Sequence, residues 1–325
     1  MRKLLVSASV LGFATMLAAP LAAFEPGRTE CIAPAQPGGG FDLTCRIAAE
    51  ALIETGQIQQ PMQVTFMPGG IGAVAYNHMN TRRKADENVI VAFSGGSLLN
   101  LAQGKFGQFD ESNARWVASA GADYGAVVVR ADAPWQTLTE LVDALKADPR
   151  AIIFGAGGTV GSQDWMKAAI VAKAAGLEPN AIRYVAFEGG GESYTNLLGG
   201  HIHVYTGDIS EQKANLEAGQ VRVLAVMADE RLPEPFGEIP TAKEQGLDVE
   251  WAIIRGYYMG PEVSDDAYNW WVAAFKAMYE KPEYAKILEE KGLFEFSLAG
   301  AEFDAYVKEQ VESYRSLARE AGLLQ

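Results

Sequence analysis

The order of elements predicts an α/β protein, and three observations carry that expectation. Apolar runs at 89–93, 151–154, 182–187 and 221–227 read as buried strands. Segments with helical apolar spacing, 43–54, 138–147, 165–175 and 210–218, alternate with them. Between strand and helix the chain repeatedly breaks into a small, mostly glycine-rich turn, at 37–42, 68–72, 94–97, 155–162, 188–192 and 207–210. Alternation of this kind predicts mostly parallel sheets with helices on both faces. In such sheets ligands sit beyond the carboxyl ends of the strands, where these turns lie.

The turns also carry a chemical expectation. Glycine lets bare backbone N–H groups approach a ligand, and a helix start carries roughly half a positive charge. Strand, glycine turn and helix together make an anion-binding unit. Several such units converging predict a cleft for a multiply negative ligand.

The first 23 residues have a short basic start (Arg2, Lys3), an apolar core over 4–17 and a small-residue tail over 18–23. That pattern predicts a secretory signal cut after Ala23, since the apolar core is short for a membrane span. Arg2 and Lys3 are the charged residues of that segment, so its removal takes the net charge from −14 to −16. Such an acidic chain is not expected to bind nucleic acid or an anionic lipid surface, and a self-repelling monomer is expected. Anion binding must then be local rather than steered by the overall field.

Cys31 and Cys45 are the two cysteines, and they flank the first glycine turn. In an oxidising compartment such a pair is expected to be bonded, which would staple the first strand to the first helix. Two buried free thiols are the alternative. No cysteine or histidine spacing suggests a metal. His201 and His203 lie two apart on a strand, but His78 is remote and no partner clusters with them.

About 300 mature residues exceed one small domain, so two lobes are expected. The tail segments 265–280 and 301–321 read as long amphipathic helices. The stretches 121–125 and 251–260 look like places where the chain crosses between lobes. The division follows as residues 24–124 plus 254–325 for one lobe and 125–253 for the other.

Six segments then match a known pattern. Cys31-Ile-Ala-Pro-Ala-Gln-Pro-Gly-Gly-Gly-Phe-Asp-Leu-Thr-Cys45 resembles the first ligand loop of the tripartite tricarboxylate transporter substrate-binding proteins, the TctC or Bug family. So do Met67-Pro-Gly-Gly-Ile-Gly-Ala73, Phe93-Ser-Gly-Gly-Ser97, Gly161-Ser-Gln-Asp164, Tyr184-Val-Ala-Phe-Glu-Gly-Gly-Gly191 and Ile239-Pro-Thr-Ala-Lys-Glu-Gln-Gly246. The resemblance spans the mature chain in order and is nearest to the citrate or tricarboxylate receptors. It implies a two-lobed, hinge-closing periplasmic receptor of the type II (Venus-flytrap) class, with mixed sheets flanked by helices. It also implies delivery of a carboxylate to a membrane permease of one large and one small subunit, with no cofactor and no catalysis. A C4 dicarboxylate is the alternative ligand, and signalling through a sensor kinase the alternative output.

The resemblance and the local chemistry together nominate the site. From the first lobe come Gly39, Gly40, Phe41 and Asp42, then Ser94, Gly95, Gly96 and Ser97. From the second come Thr159, Ser162, Gln163, Gly189, Gly190 and Asp208. Asp42 suits a helix cap or loop tie better than contact with an anion. Ser94 and Ser97 could share a carboxylate or simply cap a helix. Glu188 and Glu192 would repel a carboxylate and are expected to point outward or to hold a base. Asp208 could accept from a ligand hydroxyl, orient a water, or serve a hinge or cap.

Arg255 is the sharpest expectation. Its guanidinium could hold one carboxylate of a trianion bidentately, contributing roughly 1.5–3 kcal/mol. Tyr257 and Tyr258 would line the cleft or pack the hinge. Two enzymatic patterns nearly match. The segment 92–96 lacks the first glycine of a serine-hydrolase elbow, and neither His201 nor His203 has a visible reason to stand beside Ser94 or Ser162. The segment 155–161 imitates a dinucleotide fingerprint, but Val160 stands where the third glycine belongs.

Overall fold

A computed structural model describes residues 24–320; the predicted secretory signal lies outside the described residues. The order is β1 (Glu30–Ala33), α1 (Gly40–Glu54), β2 (Gln63–Phe66), α2 (Ala73–Thr81), β3 (Val89–Ser94), α3 (Gly95–Ala102) and β4 (Arg115–Arg130). It continues with α4 (Leu138–Ala147), β5 (Ile153–Gly157), α5 (Gln163–Ala174), β6 (Arg183–Phe187), α6 (Gly190–Leu198) and β7 (Val204–Tyr205). The chain ends with α7 (Lys213–Glu217), β8 (Val221–Met227), β9 (Ala252–Met259), α8 (Asp265–Tyr279), α9 (Pro282–Lys291) and α10 (Ala301–Glu320).

The α/β class and the alternation stand as expected, and the sheet is mixed, as the resemblance implied, where alternation alone predicted mostly parallel strands. Pairs β1–β2, β1–β3, β5–β6 and β5–β7 are parallel, as strand–helix–strand crossovers require. The middle is antiparallel: β9 pairs with β3 and β4, and β4 pairs with β7 and β8.

β4 explains the difference. The segments 121–125 and 251–260, read as places where the chain crosses between lobes, lie largely in extended strands that satisfy each other's backbone. β4 pairs with β9 from Arg115↔Met259 to Tyr124↔Ala252, then with β8 from Gly125↔Met227 onward. Sixteen residues at about 3.3 Å each let β4 reach roughly 50 Å, across both halves of the sheet. Its register shifts between Ser119 and Gly121. Gly121 sits there at φ +121°, where a side chain would also press on the Phe294 carbonyl.

Each half has apolar layers on both faces. In the first, α1, α8 and α9 bring Ile47, Leu52, Trp271, Phe275 and Leu288 to one face. Helices α2, α3 and α10 bring Tyr76, Leu98, Phe303 and Val307 to the other. In the second half Leu141, Leu145 and Val171 of α4 and α5 oppose Tyr194 and Leu197 of α6. Trp271 and Tyr257 are packing residues: Trp271 donates to the Glu87 carbonyl, and Tyr257 stacks on Phe275 and donates to the Thr44 carbonyl. Cys31 and Cys45 form a disulfide between β1 and α1.

The helix expected over 210–218 is split into a 3₁₀ turn, Ile209–Gln212, followed by α7. Ser210 gives the reason. Its N–H and hydroxyl both donate to the buried Asp123 carboxylate of β4, which holds the turn against the sheet. Among the described residues no helix is long and apolar enough to cross a membrane.

Candidate functional site

Four helices begin around one small cavity: α1 at Gly40, α3 at Gly95, α5 at Gln163 and α6 at Gly190. The first two follow strands of the first half, the other two strands of the second. Each start leaves N–H groups without helical partners, and the dipoles add positive potential where the chain carries few free cations.

The cavity measures about 40 Å³, room for roughly three waters at about 10–15 Å³ each. Gly40, Phe41, Ser94 and Gly96 line it from the first half. Ser162, Gln163, Gly189, Gly190 and Asp208 line it from the second, with Arg255 of β9 at its floor. The halves are in contact: a Cβ on Gly39 would lie 3.0 Å from the Gly191 nitrogen, and Gln103 donates to the Gly161 carbonyl at 3.0 Å.

The other nominated residues stand outside the lining. Asp42 accepts from Gly38 N–H at 2.8 Å and pairs with Arg46 at 2.7 Å, which ties the loop before α1. Ser97 accepts the Ser94 N–H at 3.5 Å, a capping contact. Gly95 packs against Tyr314 and Gln163, and Thr159 is exposed. Glu188 and Glu192 are both exposed, and Glu192 accepts the Glu188 N–H at 3.1 Å. His203 does not line the cavity; its Nδ1 accepts the Ile153 N–H at 3.1 Å.

Arg255 departs furthest from expectation. It is 1% exposed, and its guanidinium is already engaged. Nε and Nη2 donate to Asp123 Oδ2 at 3.0 and 2.7 Å, and Nη2 donates to Asp208 Oδ2 at 2.7 Å. A free bidentate fork for a ligand is therefore not what this geometry presents. Burial opposes the charged guanidinium, but the carboxylates of Asp123, Asp208 and Glu211 outweigh it and raise its pKa.

A second buried cation completes the network. Lys167 of α5, fully buried, reaches Asp164 at 2.8 Å, Asp208 at 2.7 Å and the Gly207 carbonyl at 2.8 Å. Burial again opposes its charge, and the two aspartates again outweigh burial. Asp208 is thus a bridge between Lys167 and Arg255, not a free acceptor for a ligand hydroxyl.

Glu211 is the fourth acid. Its Oε1 accepts the Gly40 N–H at 2.6 Å, and its Oε2 accepts from the Tyr205 hydroxyl. Burial, with the charge of Asp208 adding, pushes its carboxyl up to about 8.

Sequence reasoning passed over Asp123, Asp164, Lys167, Tyr205 and Glu211 as site residues. Asp123 had a signal, being a lone acid inside an otherwise apolar stretch. Lys167 had a weaker one, as a lysine among the alanines of α5. Glu211 had none, since an acid in the first turn of a helix is ordinary.

Three solved structures share this fold. The periplasmic binding protein BugD is 19% identical, with a TM-score of 0.81 over 92% of this chain and 99% of that one. MatC from Rhodopseudomonas palustris, solved with bound malate, is 17% identical, with a TM-score of 0.74 over 89% and 98%. An R. palustris protein solved with adipate is 18% identical, with a TM-score of 0.79 over 91% and 97%. At these identities the likeness is one of fold, the two-lobed periplasmic binding protein. The description "Tripartite tricarboxylate transporter family receptor", TctC, matches residues 108–323, so this chain belongs to that family of solute-binding receptors, which are not enzymes.

Proposed function

We propose that this protein captures a small dicarboxylate in the periplasm and hands it to a tripartite transporter permease of one large and one small membrane subunit. Residues 24–124 plus 254–325 form one lobe and 125–253 the other, and they close on the ligand. Convergence of four helix starts on one cavity is the observation that carries this reading. With the lobes parted, the N–H groups around Gly40, Gly96, Gln163 and Gly190 offer one carboxylate seat on each side. Ligand contacts to both lobes would then stabilise the closed form by their differential affinity.

Two carboxylates fit better than three. A trianion needs a third positive partner, and both buried cations near the cavity are already shared among Asp123, Asp164 and Asp208. The ligands of two fold neighbours, malate and adipate, are also diacids. A tricarboxylate such as citrate remains the second reading, favoured by the transporter family itself.

Calorimetric titration of the mature protein, stripped of carried-over ligand, tests this with malate, adipate, citrate and tricarballylate. A diacid should bind at least about tenfold more tightly than citrate, a difference of about 1.4 kcal/mol. Citrate binding more tightly than every diacid would establish the tricarboxylate reading instead. No heat with any of them would remove the carboxylate assignment.

A further inference from the structure

We propose that Glu211 is a built-in occupant of the ligand's carboxylate seat: its carboxyl group fills the space between the starts of α1 and α6, latches the two lobes together in the ligand-free closed form, and is displaced when a ligand binds. The inference rests on the reading of the chain as a carboxylate receptor.

Position is the first argument. Gly40 and Glu211 are 171 residues apart, on opposite lobes, and are joined by a 2.6 Å hydrogen bond from the first N–H of α1. On the other side the same carboxyl occupies the space at Gly190, where a Cβ would lie 2.4 Å from Glu211 Oε2. The carboxyl group thus sits at the start of α1 and against the start of α6, the position a ligand carboxylate would take.

Charge is the second. Asp123, Asp164 and Asp208 each contact Arg255 or Lys167 within 2.8 Å, whereas Glu211 reaches Arg255 only at 3.9 Å. Its contacts are a backbone N–H and the Tyr205 hydroxyl, both replaceable by water once the side chain swings out. Of the four acids it is the one whose removal breaks no ion pair shorter than 3 Å.

Space is the third. A diacid of several carbons exceeds a 40 Å³ cavity, so closure of the lobes around it requires a group to leave. Gln163 also lines the cavity: it is 6% exposed, and its Oε1, an acceptor beside the start of α3, makes no hydrogen bond with any described residue and suits a ligand hydroxyl.

The test compares ligand-free wild type, Glu211→Ala, Glu211→Asp and Glu211→Gln by small-angle X-ray scattering and by titration with malate. Glu211→Ala, and Glu211→Asp with a side chain one methylene shorter, should show a larger radius of gyration without ligand and bind malate about tenfold more tightly. Glu211→Gln keeps the length and the acceptor for Gly40 and should stay compact. Ligand-free Glu211→Ala and Glu211→Asp as compact as wild type overturn the inference, even if malate binds all four proteins. Expansion of both variants with no carboxylate bound by any protein would keep the latch and remove the receptor reading. If the alanine variant does not fold, the aspartate variant decides.

Discussion

Replacing Arg255 by methionine separates a structural arginine from a ligand anchor. The substitution keeps most of the buried apolar length and removes three charge-assisted hydrogen bonds, two to Asp123 and one to Asp208. It leaves both carboxylates buried, with Asp208 still held by Lys167 and Asp123 facing only Ser210 and the Tyr124 N–H. Removing one partner of such a buried pair costs about 3–5 kcal/mol. Over the 297 described residues, an unfolding entropy of about 2.1 cal/mol/K per residue totals about 0.6 kcal/mol/K, so the melting temperature should fall by about 5–8 °C. Adding Asp123→Asn should recover part of that loss, because the stranded charge goes with it. Differential scanning calorimetry reads both. A fall below about 2 °C together with lost ligand binding would refute this reasoning and return Arg255 to the role of a free carboxylate clamp.

The closed ligand-free form should depend on pH through Glu211. The groups facing that carboxyl are Gly40 N–H on α1, Tyr194 on α6, Tyr205 on β7, Asp208, Asp164 on α5 and Arg255 on β9, and burial raises it to about 8 from an ordinary 4.5. Closure therefore takes up a proton between those values. It is fully favoured below about pH 4.5 and weakens as pH rises through about 8, by up to about 1.4 kcal/mol per pH unit. Scattering at pH 6 and pH 9 should show the larger radius at pH 9; the reverse order would rule the mechanism out. The Cys31–Cys45 bridge closes a loop of about 15 residues, so replacing both cysteines by serine should cost about 3 kcal/mol, with faster amide exchange in α1. Equal stability of the oxidised protein and the double variant would show that the bond adds nothing to the fold.

The alternation of apolar runs with helical segments was legible from residue order, because each depends on side chains within a few positions of one another. So was the placement of glycine turns at strand ends, and the convergence of helix starts on a cleft follows from it. Gly40, Ser94, Gly96, Ser162, Gln163 and Gly190 were reachable in that way, and all line the cavity. Local reasoning also bounded Asp42, whose loop tie spans only four residues.

Tertiary structure decided the charge state of the cleft. Arg255 meets Asp123 across 132 residues and Asp208 across 47, and Lys167 meets Asp208 across 41. An arginine met in sequence carries no mark of whether its fork is free, since that depends on which acids the long β4–β9 ladder brings beside it. The strands at 121–125 and 252–259 were hidden for the same reason. A glycine-containing stretch becomes a strand only when a partner 130 residues away satisfies its backbone, and that partner exists only in the folded chain.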